Sequence, residues 1–193
     1  MSKSLSDKLE RLQTNHAKSV LGLPGRTPGL FVRSELGLNT LTSRRDLLTL
    51  RVFGDLMCSG DSRLAARLVR SRLGTARKAE VSGDTHYGWC GRVLQVLKQY
   101  GLERHWREGD VPMERWEWYS LCAQKVEAAR KDLWNADIER LELESYKALK
   151  DSPNTHAEAY LSSPNHWQSS PSQLAALQYC QDRKSTRLNS SHG

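Results

Sequence analysis

Apolar residues along this 193-residue chain recur at intervals of three and four, and no segment shows the strict alternation of a strand. The pattern therefore predicts helices. A first helix, capped by Ser4 or Ser6, carries Leu9, Leu12, Val20 and Leu21 and stops at Gly22, just before Pro24. In "GRTPGLFVRSELG" the expected N-cap is Thr27, with Pro28 at the first helical position and Gly37 as the stop. A longer helix from about Leu41 to Met57 places Leu41, Leu48, Val52 and Leu56 near one stripe, with Gly60 after its end. The next begins at Asp61 or Ser62 and ends before Gly74. Leu64, Leu68 and Val69 form its apolar side, and Arg63, Arg67 and Arg70, at i, i+4 and i+7, form a basic one.

Residues 75–83 then read as a linker. A helix from about His86 to Tyr100 puts Trp89, Val93, Val96, Leu97 and Tyr100 on one face, and Gly101 stops it. After Pro112 the chain runs to about Lys150 without a Gly or Pro, and Trp116, Tyr119, Val126, Leu133, Trp134, Ile138 and Leu141 recur at roughly helical spacing. So long a run is weakly amphipathic, and a break near Asn135 is expected. Its stripe should pack on the Trp89 helix, where each buried aromatic contributes on the order of 1.5 to 3 kcal/mol. The fold class expected is all-α, an irregular helical bundle in two loosely coupled clusters: a basic one over 1–74 and a Trp-rich hairpin over 84–150. Residues 151–181 follow as a Pro/Ser-rich loop and a last helix opened by Ser170 and Pro171.

The closing "DRKSTRLNSSHG" has no apolar period and no core to face. The eleven residues from Asp182 to His192 resemble, in one reading frame, the translation of a common short-read sequencing adapter. They are set aside from fold reasoning as a fusion scar would be. On this reading the biological sequence stops near Gln181, and the chain is a fragment.

Composition narrows the picture. Hydrophobic content of 38% and a negative mean hydropathy point to a modest core. Cysteines at 58, 90, 122 and 180 are too far apart for a metal-binding pair, so they read as reduced thiols. No leader-like run opens the chain, and nothing approaches the ~20 apolar residues of a membrane span. An intracellular location, nucleus or cytoplasm, and no membrane partner are expected. The net charge of +7 is unevenly spread: residues 1–78 hold fifteen basic and six acidic side chains, whereas 79–150 hold eleven against thirteen. Such asymmetry suggests a polyanionic partner for the N-terminal third.

In that third, "LERLQTNHAKSVLGLPGRTP" and "SELGLNTLTSRRDLLTLRVFGDLM" carry a resemblance. They resemble the region that follows the polymerase domain in reverse transcriptases of LINE-type, jockey-like retrotransposons. The matching positions are Leu9, Gln13, Leu21, Gly22, Leu23, Pro24, Arg26, Thr27, Pro28, Glu35, Leu36, Gly37, Leu38, Arg44, Arg45, Asp46, Leu50 and Phe53. About fifty residues are covered; beyond Gly60 the likeness is loose, down to "EAYLSS", similar to an element that precedes the family's Cys/His segment. The resemblance implies an RNA-directed DNA polymerase as the parent protein, with its polymerase domain as a possible partner.

The departures decide what this chain itself can do. Two-metal phosphoryl transfer requires adjacent acidic ligands, and no Asp-Asp pair exists here. No strands are predicted for fingers or palm, and no Cys/His cluster accompanies Cys180. No catalytic residue, metal or cofactor is therefore assigned. His86 and Cys90, at i and i+4, have no further ligand nearby and read as ordinary packing. His156 and His166 read as solvated loop residues. Asp137, Glu139, Glu142 and Glu144 read as a solvated face opposite Arg140 and Lys147. "GLPGRTPG" lacks the Gly-Lys-Ser/Thr ending of a phosphate loop.

What remains is the basic surface. Arg44, Arg45 and Arg51 on one helix, with Arg63, Arg67, Arg70 and Arg72 on the next and Arg77 and Lys78 after them, are expected to line one positive face that holds an RNA or DNA backbone. No base-reading module is recognisable, so such contacts would position nucleic acid without specifying sequence. The plainer reading is that these arginines solvate helices and pair with Asp46, Asp55 and Asp61. A second hypothesis is a helical scaffold whose Trp-rich half docks on the polymerase domain or another chain.

Overall fold

The computed structural model describes residues 3–59, 63–81, 88–108, 114–141, 143–150, 152–153 and 156–157. Every regular element among them is a helix, so the all-α class holds. In chain order they are α1 (Lys3–Val20), α2 (Gly29–Glu35), α3 (Leu41–Met57), α4 (Leu64–Val81), α5 (Gly88–Gln99), α6 (Glu103–Glu108), α7 (Arg115–Arg140) and α8 (Glu144–Leu149). Three helices end where glycine predicted. Gly22, Gly37 and Gly101 take φ of +63°, +61° and +67°, a left-handed turn that folds the next amide back onto the helix. Leu23, Leu38 and Leu102 accordingly donate to the carbonyls of Lys18, Arg33 and Leu97, five residues earlier, at 2.8–2.9 Å.

The chain divides into two compact units, Met1–Leu41 with Lys131–Gly193, and Thr42–Arg130. The cut differs from clusters bounded at 74 and 84, because both of those positions fall inside the second unit. The stretch expected as a linker is largely helical. α4 runs through Gly74 to Val81, and the roughly 1 kcal/mol that a mid-helix glycine costs is offset by burial of Leu73 and Ala76 on either side.

The unit Thr42–Arg130 is built around Leu50, Phe53 and Met57 of α3, Leu73 of α4, Val93 and Leu97 of α5, and Trp118, Cys122 and Val126 of α7. The first half of α7 thus shares a core with the Trp89 helix, as its periodicity required. The stripe is different. Trp118 is fully buried, while Trp116 is 66% exposed. The Trp118 ring meets Phe53 and His105 edge-on at 5.9 and 4.9 Å between centroids, and its Nε1 donates to the Leu50 carbonyl at 2.8 Å. On α3 the buried face is Ser43, Asp46, Leu50, Phe53, Gly54 and Met57. Leu48 and Val52, expected inside, point out. On α4 the buried residues among those described are Ala66, Leu73 and Ala76, with Val69 partly covered, and Leu64 and Leu68 are exposed.

In the other unit, Leu30 packs with Trp134, Ile138, Leu143 and Tyr146. Below that cluster Tyr146 Oη donates to Glu35 Oε1 at 2.7 Å, and Lys150 Nζ reaches the same oxygen at 3.2 Å. This buried carboxylate is held by a phenol and an ammonium together. α7 continues past Asn135; the break falls instead after Arg140, where the Leu143 amide bonds back to the Ile138 carbonyl at 3.0 Å. Burial of Trp134 and Ile138 on either side of Asn135 keeps the helix intact there. α1 buries Thr14 and Ala17 and leaves Leu9, Leu12 and Val20 exposed, the reverse of the expected facing. α2 starts at Gly29 with Pro28, not Thr27, as its N-cap and without a side-chain cap. No described helix is long and apolar enough to cross a membrane.

Candidate nucleic-acid interface

All seven candidate arginines lie in the unit Thr42–Arg130, on α3, on α4 or one residue before α4. Successive helical residues turn by about 100°, so position along the helix fixes direction. Arg44 and Arg51, at i and i+7, share a side of α3 with Leu48 and Asp55, and both arginines are exposed. Arg45 is turned away from them and lies 3.7 Å from Asp46. On α4, Arg63, Arg67 and Arg70 fall along one flank. Arg72, five residues beyond Arg67, points to the opposite flank. The seven therefore do not share one face.

Their partners separate them further. Arg70 Nη2 bonds to the carbonyls of Met57 and Ser59 at 3.1 and 2.6 Å, where α3 ends. Those carbonyls have no helical donor left, so Arg70 acts as a C-terminal cap from a neighbouring helix. Arg63 Nη1 sits 3.5 Å from Ser59 Oγ. The Arg51 guanidinium lies 5.6 Å from the centre of the Tyr119 ring, a distance suited to cation–π attraction. Arg44, Arg67 and Arg72 are exposed, and among the described residues no carboxylate lies within ion-pair distance of them.

Of the carboxylates that were to neutralise this set, Asp46 keeps Arg45 at 3.7 Å, but the closer partners of Asp46 and Asp55 lie outside the set. Asp46, fully buried, receives Arg92 Nη2 at 2.5 Å and Tyr100 Oη at 3.4 Å. Asp55 pairs with Arg115 at 3.0 Å and accepts from Tyr119 Oη at 2.5 Å. Asp61 lies outside the described residues. Arg92 and Arg115, from α5 and α7, were not singled out by sequence. Their role depends on partners 46 and 60 positions away, which no local spacing announces. Burial, with the Asp46 charge beside it, pushes the Tyr100 phenol up to about 12. The hydrogen bond to Asp55 raises Tyr119 as well.

The other sequence candidates contribute no site here. Cys90 is buried, and burial pushes its thiol up, so it stands as a neutral thiol at ordinary pH; His86 and His166 lie outside the described residues, as do Cys180 and "EAYLSS". His156 is exposed. Asp137 pairs with Arg140 at 2.8 Å on an exposed surface, as a solvated helix face does. Among the described residues no three His, Cys, Asp or Glu side chains gather as a metal-ligand set. No protein-family model matches this chain, and no curated protein or solved structure matches it either.

Proposed function

We propose that this chain is the region following the polymerase of a LINE-type reverse transcriptase, and that it holds the phosphate backbone of template or primer without catalysing a reaction. The observation that carries the reading is the division of labour among charges. Arg92 and Arg115 occupy Asp46 and Asp55, while Arg44, Arg51, Arg67 and Arg72 stay exposed with no carboxylate at ion-pair distance among the described residues. An exposed, unneutralised guanidinium can take a phosphate without first breaking an ion pair. Because the four point in more than one direction, the strand they favour is a flexible single strand that can bend between them.

Filter binding of labelled single-stranded RNA across a salt series tests the reading. Affinity is expected to fall steeply, with a slope near 0.7 per phosphate contacted on a log–log scale. Absence of binding at low salt, or binding indifferent to salt, would remove it.

A second reading is a protein-docking scaffold that does not bind nucleic acid. It is favoured by one feature of α1, where Leu5, Leu9, Leu12 and Val20 run along a single exposed side at i, i+4, i+7 and i+15. Light scattering with the polymerase domain supplied in trans distinguishes the two: complex formation without RNA affinity selects this reading.

A further inference from the structure

Trp89 was expected in the core and is instead 39% exposed, at the mouth of a cleft between α4 and the start of α5. Leu68, Val69, Arg72 and Thr75 form one wall, and Gly88, Trp89 and Cys90 the other. The volume is about 430 Å³, within the roughly 300 to 1,000 Å³ of small-ligand sites. Gly88 leaves its corner open, since nothing lies within 4 Å of where a side chain would begin. Among the described residues the walls are apolar apart from Thr75 and one charge, Arg72, which has no carboxylate within ion-pair distance there.

An aromatic surface, aliphatic neighbours and one unneutralised guanidinium are the complement of a flat ring joined to an anion. We propose that this cleft takes one unpaired nucleobase of a bound single strand, stacked on Trp89, with the adjoining phosphate on Arg72. The inference rests on the nucleic-acid reading above and sharpens it. Arg72, which points away from Arg67, acquires a reason for its direction: it serves the base site, not the flank of Arg63 and Arg67. Base stacking tolerates any sequence because every base has a π-face, so the cleft adds affinity for unpaired strand without reading sequence. Duplex, whose bases are stacked on one another, is excluded from it.

The test compares two labelled strands of equal length and charge, an oligouridine and an abasic backbone, by fluorescence anisotropy with the full chain. The oligouridine is expected to bind at least about five-fold more tightly, the lower end of what stacking of one base supplies. Trp89→Leu should erase the difference while leaving the abasic affinity in place. Arg44→Gln should weaken both strands alike. As a measurement that needs no variant, a 5-iodouridine strand irradiated in complex is expected to crosslink at Trp89. Equal binding of both strands, a preference that survives in folded Trp89→Leu, or a crosslink mapped elsewhere overturns the base site and leaves backbone binding standing. Equal binding of both strands is also the result if an apolar protein segment occupies the cleft. Failure of both strands to bind removes both proposals.

Discussion

Gly54 of α3 lies directly beneath the indole of Trp118. A Cβ at that position would overlap Cδ1 and Nε1 of the ring, well inside van der Waals distance. The missing side chain is what lets Nε1 come within 2.8 Å of the Leu50 carbonyl. An exposed mid-helix Gly→Ala change stabilises by about 0.5–1 kcal/mol; here the sign should invert. Gly54→Ala is expected to destabilise by about 1–3 kcal/mol, read from urea unfolding. An unchanged or raised midpoint would mean that the indole does not sit there.

Asp46 and Arg92 should not be equivalent. Asp46 is wholly buried, whereas the Arg92 side chain is 37% exposed. Removing Arg92 strands a carboxylate without its closest cation, at a cost of about 3–5 kcal/mol. Removing the charge at Asp46 leaves a guanidinium that water can reach. Arg92→Ala is therefore predicted to unfold at lower denaturant than Asp46→Asn, and the reverse order would contradict the assignment.

Alkaline pH should weaken the unit Thr42–Arg130. Burial raises Cys122 from 9.0 to about 12, and Tyr100 is raised from 10.0 to about 12. In both cases the folded state holds its proton to higher pH than the unfolded chain. The stabilisation is complete below pH 9 and is lost progressively as pH rises toward 12. Urea midpoints between pH 8 and 11 are expected to fall, less steeply in Cys122→Ala. A flat profile in the parent chain would show that the thiol and phenol are not buried.

Arg70 and Arg67 look alike in the sequence and should behave differently. Arg70→Ala removes two charged hydrogen bonds from the end of α3 and is predicted to cost about 1–3 kcal/mol. Arg67→Ala should stay within about 0.5 kcal/mol, and its effect should appear in RNA affinity and salt slope. Thermal melts alongside filter binding separate the two residues.

Gly37 offers a check on the other unit. Its φ is +61°, and a Cβ there would collide with the backbone of His156. Gly37→Ala is expected to lose about 1–3 kcal/mol from overpacking alone, with left-handed strain adding to it. Wild-type stability in this variant would argue against the seat of His156 beside the α2 turn.

The sequence by itself determined that the chain is helical, where α1, α2 and α5 stop, and that its basic residues crowd the N-terminal third. These are local properties: periodicity of 3.6, a glycine able to turn left-handed after the last helical residue, and counted charge. The inward faces of the helices were decided by tertiary structure. On α3, Leu41, Leu48, Val52 and Leu56 make a credible apolar stripe, yet the buried side contains Ser43, Asp46 and Gly54. Hydrophobicity ranks a carboxylate and a glycine as poor core residues. Each is made suitable by a distant partner, Arg92 for Asp46 and Trp118 for Gly54. The same long-range pairing sorted the arginines into a cap, an ion-pair partner and exposed cations, because the energy of a charge depends on what the fold brings beside it.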